Sequence, residues 1–161
     1  MVLNRGQKTL LTLFGMTLLP IVAAQILFHA WRPDTTYSYG TLLAQPAAVP
    51  ATGHWRLVAA DPQGCTARQR DLLFATRQMR LAQGQEAQRI QRASTANCAN
   101  LDSDVALLQS HNMFRQAGLY LIDPQGNLVM HYQPEKIADN DGRKKAMAEI
   151  GRVLKTNEGL G

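Results

Sequence analysis

Between Thr9 and Trp31 the sequence has no formally charged side chain, a gap of 23 residues in a chain where charged residues make up 18%. That absence excludes a solvated surface segment. Cysteine is equally scarce, with two in 161 residues, which excludes a disulfide-rich scaffold and any multi-cysteine metal cluster. Internal repeats are missing, so a solenoid is excluded. No recognition motif and no basic stripe interleaved with aromatics is present, so no nucleic-acid partner is expected. The net charge of +5, from 17 Lys and Arg against 12 Asp and Glu, is a weak basic bias that suits a membrane surface or an acidic partner.

The uncharged stretch is what gives the chain its organisation. At about 1.5 Å per residue a helix of that length crosses the roughly 30 Å hydrocarbon layer of a bilayer. Its interior is rich in Leu (Leu10, Leu11, Leu13, Leu18, Leu19) and continues through Ile21, Val22, Ile26, Leu27 and Phe28. Pro20 would kink it, which membrane helices tolerate. Trp31 and Arg32 suit an interfacial anchor. A cleaved signal peptide is the competing reading, with Val22-Ala23-Ala24 as the cleavage site. The apolar run continues past that point, and a cleaved chain would begin with an exposed greasy tail, so an uncleaved anchor is expected. Gln25 and His29 fall within the span, and His29 is expected near the headgroups rather than as a haem ligand. Arg5 and Lys8 precede the span and Arg32 follows it, so the positive-inside bias sets the N-terminus in and the C-terminal domain out.

These signals divide the chain into a cytoplasmic tail at 1–8, a transmembrane helix at 9–31, a linker at 32–53 and a domain at 54–161. The linker reading rests on Pro33, Pro46, Pro50, Gly40 and Gly53 and on the lack of any sustained period. Within the domain, Trp55–Ala60 reads as a buried strand ended by Asp61-Pro62-Gln63-Gly64. From Thr66 to about Ala87 helix is favoured, with Leu72, Ala75, Met79 and Ala82 on one face. Arg89–Thr95 is a weak strand, and Val105, Leu107, Leu108, Met113 and Phe114 suggest a second helix. Gly118–Ile122 and Leu128–Tyr132 flank a Pro- and Gly-containing turn and form a hairpin. Ala146, Met147, Ile150, Val153 and Leu154 line a closing helix that Asp141 would cap. The expected fold class is α/β, a mixed sheet with flanking helices.

That order, with a Gly64-Cys65 turn before a helix and a later Tyr120-Leu-Ile-Asp-Pro-Gln-Gly-Asn127 hairpin, resembles the thioredoxin fold. With one anchor it is similar to the Sco-type copper chaperones of cytochrome oxidase assembly. It is more similar still to small single-span proteins encoded among cytochrome oxidase biogenesis genes of proteobacteria. The residues carrying this are Trp31-Arg32-Pro33, Tyr39-Gly40-Thr41-Leu42-Leu43 and Thr76-Arg77-Gln78-Met79-Arg80-Leu81-Ala82-Gln83-Gly84. The resemblance implies a reduced thioredoxin-like domain on the periplasmic side of a bacterial inner membrane. It also implies partners among cytochrome oxidase subunits or assembly factors, with membrane lipid alongside. The family's Cys-x-x-x-Cys is degenerate here, because Cys65 fills the first position and Gln69 the second. No His stands just before the hairpin strand, where Gln116-Ala117-Gly118 occur. Binding without turnover is therefore expected.

Cys65 is the foremost single-residue candidate. The positive end of a helix and the nearby Arg68 would both favour its thiolate. Three roles stay open: a structural thiol, a disulfide with Cys98, or a redox or metal role. Copper(I) would want soft ligands, and Cys65, Cys98 and His111 supply the types without a recognised spacing. His54 and His131 are expected at the surface. The Arg-rich stretch (Arg68, Arg70, Arg77, Arg80, Arg89, Arg92) could face anionic headgroups or an acidic partner, or simply be solvated. The alternatives to an assembly factor are a copper chaperone or thiol-disulfide oxidoreductase using Cys65, and an accessory single-span subunit of an oxidase.

Overall fold

A computed structural model describes residues 4–30, 38–46, 48–108 and 113–161. The chain falls into two units, one ending at Tyr37 and one running from Ser38 to Gly161. The first is helix α1, Arg5–Ala30, which continues through Pro20. Its segment Arg5–Phe28 has a mean hydropathy of 2.1 and is long and apolar enough to cross a membrane. Leu10, Leu13, Phe14, Leu19 and Phe28 are all exposed on it, as a lipid-facing helix requires.

The second unit is a six-stranded mixed sheet with helices packed on it. Its strands are β1 (Thr41–Gln45), β2 (Trp55–Ala60), β3 (Ile90–Ser94), β4 (Val105–Leu107), β5 (Gly118–Ile122) and β6 (Leu128–Tyr132), in the spatial order β1-β6-β5-β2-β3-β4. β2, β3 and β4 run parallel, while β5 and β6 pair antiparallel with their neighbours. Helices α2 (Ala67–Ala82) and α3 (Asn140–Thr156) complete the unit.

β2 lies at the centre and all six of its residues are buried. Alternation splits it between two clusters. Trp55, Leu57 and Ala59 join Leu72, Met79, Ile150 and Leu154 under α2 and α3. Val58 and Ala60 face the other way, toward Tyr120, Ile122, Ala48, Val49 and Phe114. The cover on this second face comes from segments outside the helices. Gly126 shows how closely that cover sits. Its φ is +95°, and a Cβ there would stand 1.9 Å from the Val49 carbonyl oxygen.

The structure differs from the sequence expectations at several points. The stretch expected as linker contains β1, an edge strand whose Thr41 pairs with His131 of β6, and buried Ala48 and Val49. In place of the helix expected around Val105–Phe114, Val105–Leu107 is strand β4, paired with Arg92–Ser94 of β3, and Phe114 packs in the sheet's second cluster. The apolar residues there serve strand pairing and a single plug, so they never acquire a helical period. α2 stops at Ala82, because Gly84 takes a φ of +59° and Gly84–Arg89 winds as a 3-10 turn. α3 is capped by Asp139, whose side chain accepts from the Gly142 N–H, while Asp141 pairs with Lys145.

Candidate functional site

The carboxyl ends of the parallel strands β2 and β3 bring the two cysteines together. β2 ends in a turn in which the Gly64 N–H donates to the Asp61 carbonyl over 2.9 Å, with Gly64 at φ +83°. Cys65 follows and is exposed. The loop after β3 carries Cys98, 9% exposed. A disulfide joins them, with Cα atoms 5.4 Å apart and a sequence separation of 33. The pair therefore joins an exposed residue ahead of α2 to a sheltered one in a neighbouring loop. Two grooves lie near it. One, of about 470 Å³, is lined by Asp61, Gly64, Ala96, Leu107 and Phe114. The other, of about 400 Å³, is lined by Phe74, Arg77, Cys98, Leu101 and Val105.

Asp61 organises this end of the molecule. Its buried carboxylate accepts from Thr66 Oγ1 at 2.5 Å, Arg68 Nε at 3.0 Å and the Gln63 N–H at 3.0 Å. Burial pushes this carboxyl up, but the bonds from Arg68, Thr66 and Gln63 outweigh that and hold it below the usual carboxylate range. Thr66, in turn, caps α2 by accepting from the Gln69 N–H. The helix thus begins after Thr66, not at the cysteine. The two features expected to favour a Cys65 thiolate are both engaged elsewhere: Arg68 with Asp61, and the foremost helix N–H with Thr66.

Gln69 is wholly buried. Its Nε2 donates to the Ala59 carbonyl at 3.1 Å and to Ser94 Oγ at 3.0 Å, tying α2 to β2 and β3. Its Oε1 has no hydrogen-bond partner.

The arginines are largely consumed internally. Arg92, 3% exposed, bonds Asp102 and Asp104 and reaches Thr76 and the Leu73 carbonyl on α2. Arg80 pairs with Asp104 at 2.8 Å. Arg89 pairs with Glu86 and donates to the carbonyls of Leu154, Asn157, Leu160 and Gly161, closing the end of α3. Arg70 and Arg77 remain exposed.

His131 is not at the surface. It is 4% exposed, stacked on Tyr120 with ring centroids 4.4 Å apart, and Nε2 lies 3.2 Å from the Ala117 carbonyl. Burial lowers its pKa from the usual histidine value. His54 is exposed. His111 and Trp31-Arg32-Pro33 lie outside the described residues, as does the side chain of His29. Among the described residues no group of three His, Cys, Asp or Glu side chains is placed to hold a metal. With both sulfurs bonded to each other, neither is a thiolate.

Sequence reasoning placed Cys65 at the strand-helix junction and missed Asp61, Gln69 and Arg92 as organisers of it. Only Asp61 left a signal, since an Asp before Pro and Gly with a Thr five residues on can cap the turn and be bonded by the hydroxyl. Parallel strands β2, β3 and β4 followed by a hairpin and a closing helix, with a cystine just ahead of α2 and one apolar helix earlier in the chain, define a membrane-anchored thioredoxin-like protein. A family model described as "transmembrane-like, thioredoxin-like, C-terminal domain" matches residues 55–156, and the chain belongs to that family. No curated protein and no solved structure matches the chain.

Proposed function

We propose that this membrane-anchored domain lies on the periplasmic side of a bacterial inner membrane and supports assembly or stability of a respiratory cytochrome oxidase by binding, without turnover. The oxidase setting draws its support from the resemblance of the chain to single-span proteins of oxidase biogenesis clusters. The orientation draws on Arg5 and Lys8 ahead of the span. One observation carries the non-enzymatic reading. At the position four residues after Cys65, where a helix-head dithiol would place its second sulfur, Gln69 is buried and bonded to Ala59 and Ser94. A helix-head dithiol cycle has no second thiol there.

The test is genetic. Deletion of the protein from its bacterium should lower the assembled oxidase, read from the reduced-minus-oxidised haem spectrum of membranes. A Cys65→Ser copy should restore most of it. An unchanged spectrum on deletion, or no oxidase subunit co-purifying with the full chain, would sink the proposal.

A second reading has its own observation, the contrast between exposed Cys65 and sheltered Cys98. An incoming thiolate could attack Sγ of Cys65, forming a mixed disulfide and releasing Cys98 as the leaving thiolate. Failure of Cys65→Ser to restore the oxidase, with normal levels of the variant protein, would favour this thiol-exchange reading.

A further inference from the structure

The arginines of α2 and β3 are mostly held by internal acids, but the outer face of α3 is not. Lys144, Ala148, Arg152 and Lys155 recur at helical spacing and are all exposed. Lys144, Arg152 and Lys155 make no hydrogen bond or ion pair among the described residues, and the one acid on this face, Asp141, is paired with Lys145 at 2.7 Å. Lys136 shares the Tyr39 ring with Lys145, beside the row. No large apolar side chain interrupts it.

The position of this face in the chain gives it a partner. The domain begins at Ser38, and its first residues are fastened to α3. The backbone N–H groups of Tyr39 and Gly40 donate to the two carboxylate oxygens of Glu149 at 2.8 and 2.9 Å. The Tyr39 hydroxyl donates to the Lys136 carbonyl at 2.5 Å, and the ammonium groups of Lys136 and Lys145 lie 5.7 and 5.9 Å from the centre of the Tyr39 ring. The point where the chain joins the domain is thus on the cationic helix itself. Lys144 lies five residues before Glu149 and Lys155 six after. At 1.5 Å per residue the row extends only about 8–9 Å along the helix to either side of that point. Seven residues, 31–37, separate it from the end of the apolar helix at Ala30. Even fully extended, seven residues reach about 25 Å. A tether that short lets the polybasic surface come down to anionic headgroups, whose negative potential acts within about a Debye length of 8–10 Å.

We propose that the α3 face formed by Lys144, Arg152 and Lys155, with Lys136 beside it, docks the domain on anionic phospholipid headgroups. The surface would hold the cystine end at a fixed orientation to the membrane, whichever oxidase or other partner the domain serves. This inference uses the anchor and the charge pattern and is independent of the oxidase reading.

The experiment uses the full chain in nanodiscs of phosphatidylcholine alone or of phosphatidylcholine with phosphatidylglycerol. Amine labelling followed by mass spectrometry reads the accessibility of Lys144 and Lys155. Labelling of both should slow at least threefold in the anionic discs, and 0.5 M salt should reverse that. A Lys144→Glu, Arg152→Glu double variant, with unchanged circular dichroism, should label at Lys155 at the same rate in both lipids. Equal wild-type rates in the two discs would overturn the proposal. So would protection that occurs in native membranes but not in anionic discs, which would assign the face to an acidic protein.

Discussion

The two faces of the sheet are covered by different means. On one, α2 and α3 lay regular apolar rows over Trp55, Leu57 and Ala59. On the other, Val58, Ala60 and Tyr120 are covered by single side chains from irregular segments, notably Val49 and Phe114. A helix brings its own backbone hydrogen bonds to a face, whereas an irregular segment must find them one at a time. The Arg56 guanidinium does part of that by donating to the Pro50 carbonyl at 2.7 Å, and the Val49 N–H does more by donating to Gly126. The comparison implies that the helical face is held by packing and the other by separate fasteners, and a further fastener, the disulfide, ties the loop after β3 to the turn ahead of α2.

The largest expected effect follows from removing that fastener. Closing a loop of 33 residues restricts the unfolded chain by roughly 3–4 kcal/mol in the loop-entropy account. Cys98→Ser should lower the unfolding free energy by about that amount in urea titration, and reductant should lower the wild type equally while leaving the variant unchanged. Hydrogen exchange should then speed up around Val105–Leu108 with α3 unaffected. Uniform acceleration in both would break the comparison.

Cavity formation separates the faces next. Ile150 of α3 is fully buried in the helical face, and Ile150→Ala should cost about 3 kcal/mol. Phe114, 3% exposed and edge-on to Tyr120 at 4.9 Å, is the larger side chain, yet its irregular segment can close over the space. Phe114→Ala should cost less than Ile150→Ala in the same titration. The reverse order would show that the irregular cover is as rigid as the helices.

These contrasts also mark how far the sequence could be read. β2, α2, the hairpin and α3 announce themselves through short-range pattern: Leu72, Ala75 and Met79 at helical spacing, and Asp123-Pro124-Gln125-Gly126 as a turn. The irregular cover has no period, so Phe114 looked like part of a helix and Val49 like part of a linker. β1 is defined by a partner nearly ninety residues away in sequence, and Pro and Gly around it disguise it. At the candidate site, Cys65 was legible from its place after the turn. The pairing with Cys98 depends on β2 and β3 lying side by side, and the environments of Gln69 and His131 depend on which neighbours the sheet supplies. None of that is written locally.

A smaller effect tests the helix side. Asp61→Asn keeps the shape but removes the charge that Arg68 and Thr66 bond, and should cost about 2 kcal/mol. The wild-type carboxyl lies below its unfolded value, so its contribution is complete above the ordinary carboxylate range and is lost as pH falls through the folded pKa. The Asn variant should therefore run parallel to the wild type from neutrality down to about pH 4 and converge on it only below that. A wild type no more stable than the variant at pH 7 would show that Arg68 does not hold the turn.

The smallest effect belongs to the irregular face and falls in a different pH window. His131 is buried against Tyr120 with Nε2 at the Ala117 carbonyl, and the nearest charges it feels, Glu135 and Lys136, act in opposite directions. Burial dominates and depresses its pKa, so the neutral ring is the folded form. Its contribution is complete above the unfolded value of about 6.5 and is lost as pH falls through the lower folded one. Urea midpoints should thus decline between pH 7 and pH 5 in the wild type. His131→Phe keeps a ring on Tyr120 and cannot take up a proton, so its midpoints should stay level across the same range, whatever its absolute stability. Asp61 titrates only further down, outside this window. Equal slopes in wild type and variant would place the neutral-range sensitivity elsewhere and remove pH as a way to loosen one face before the other.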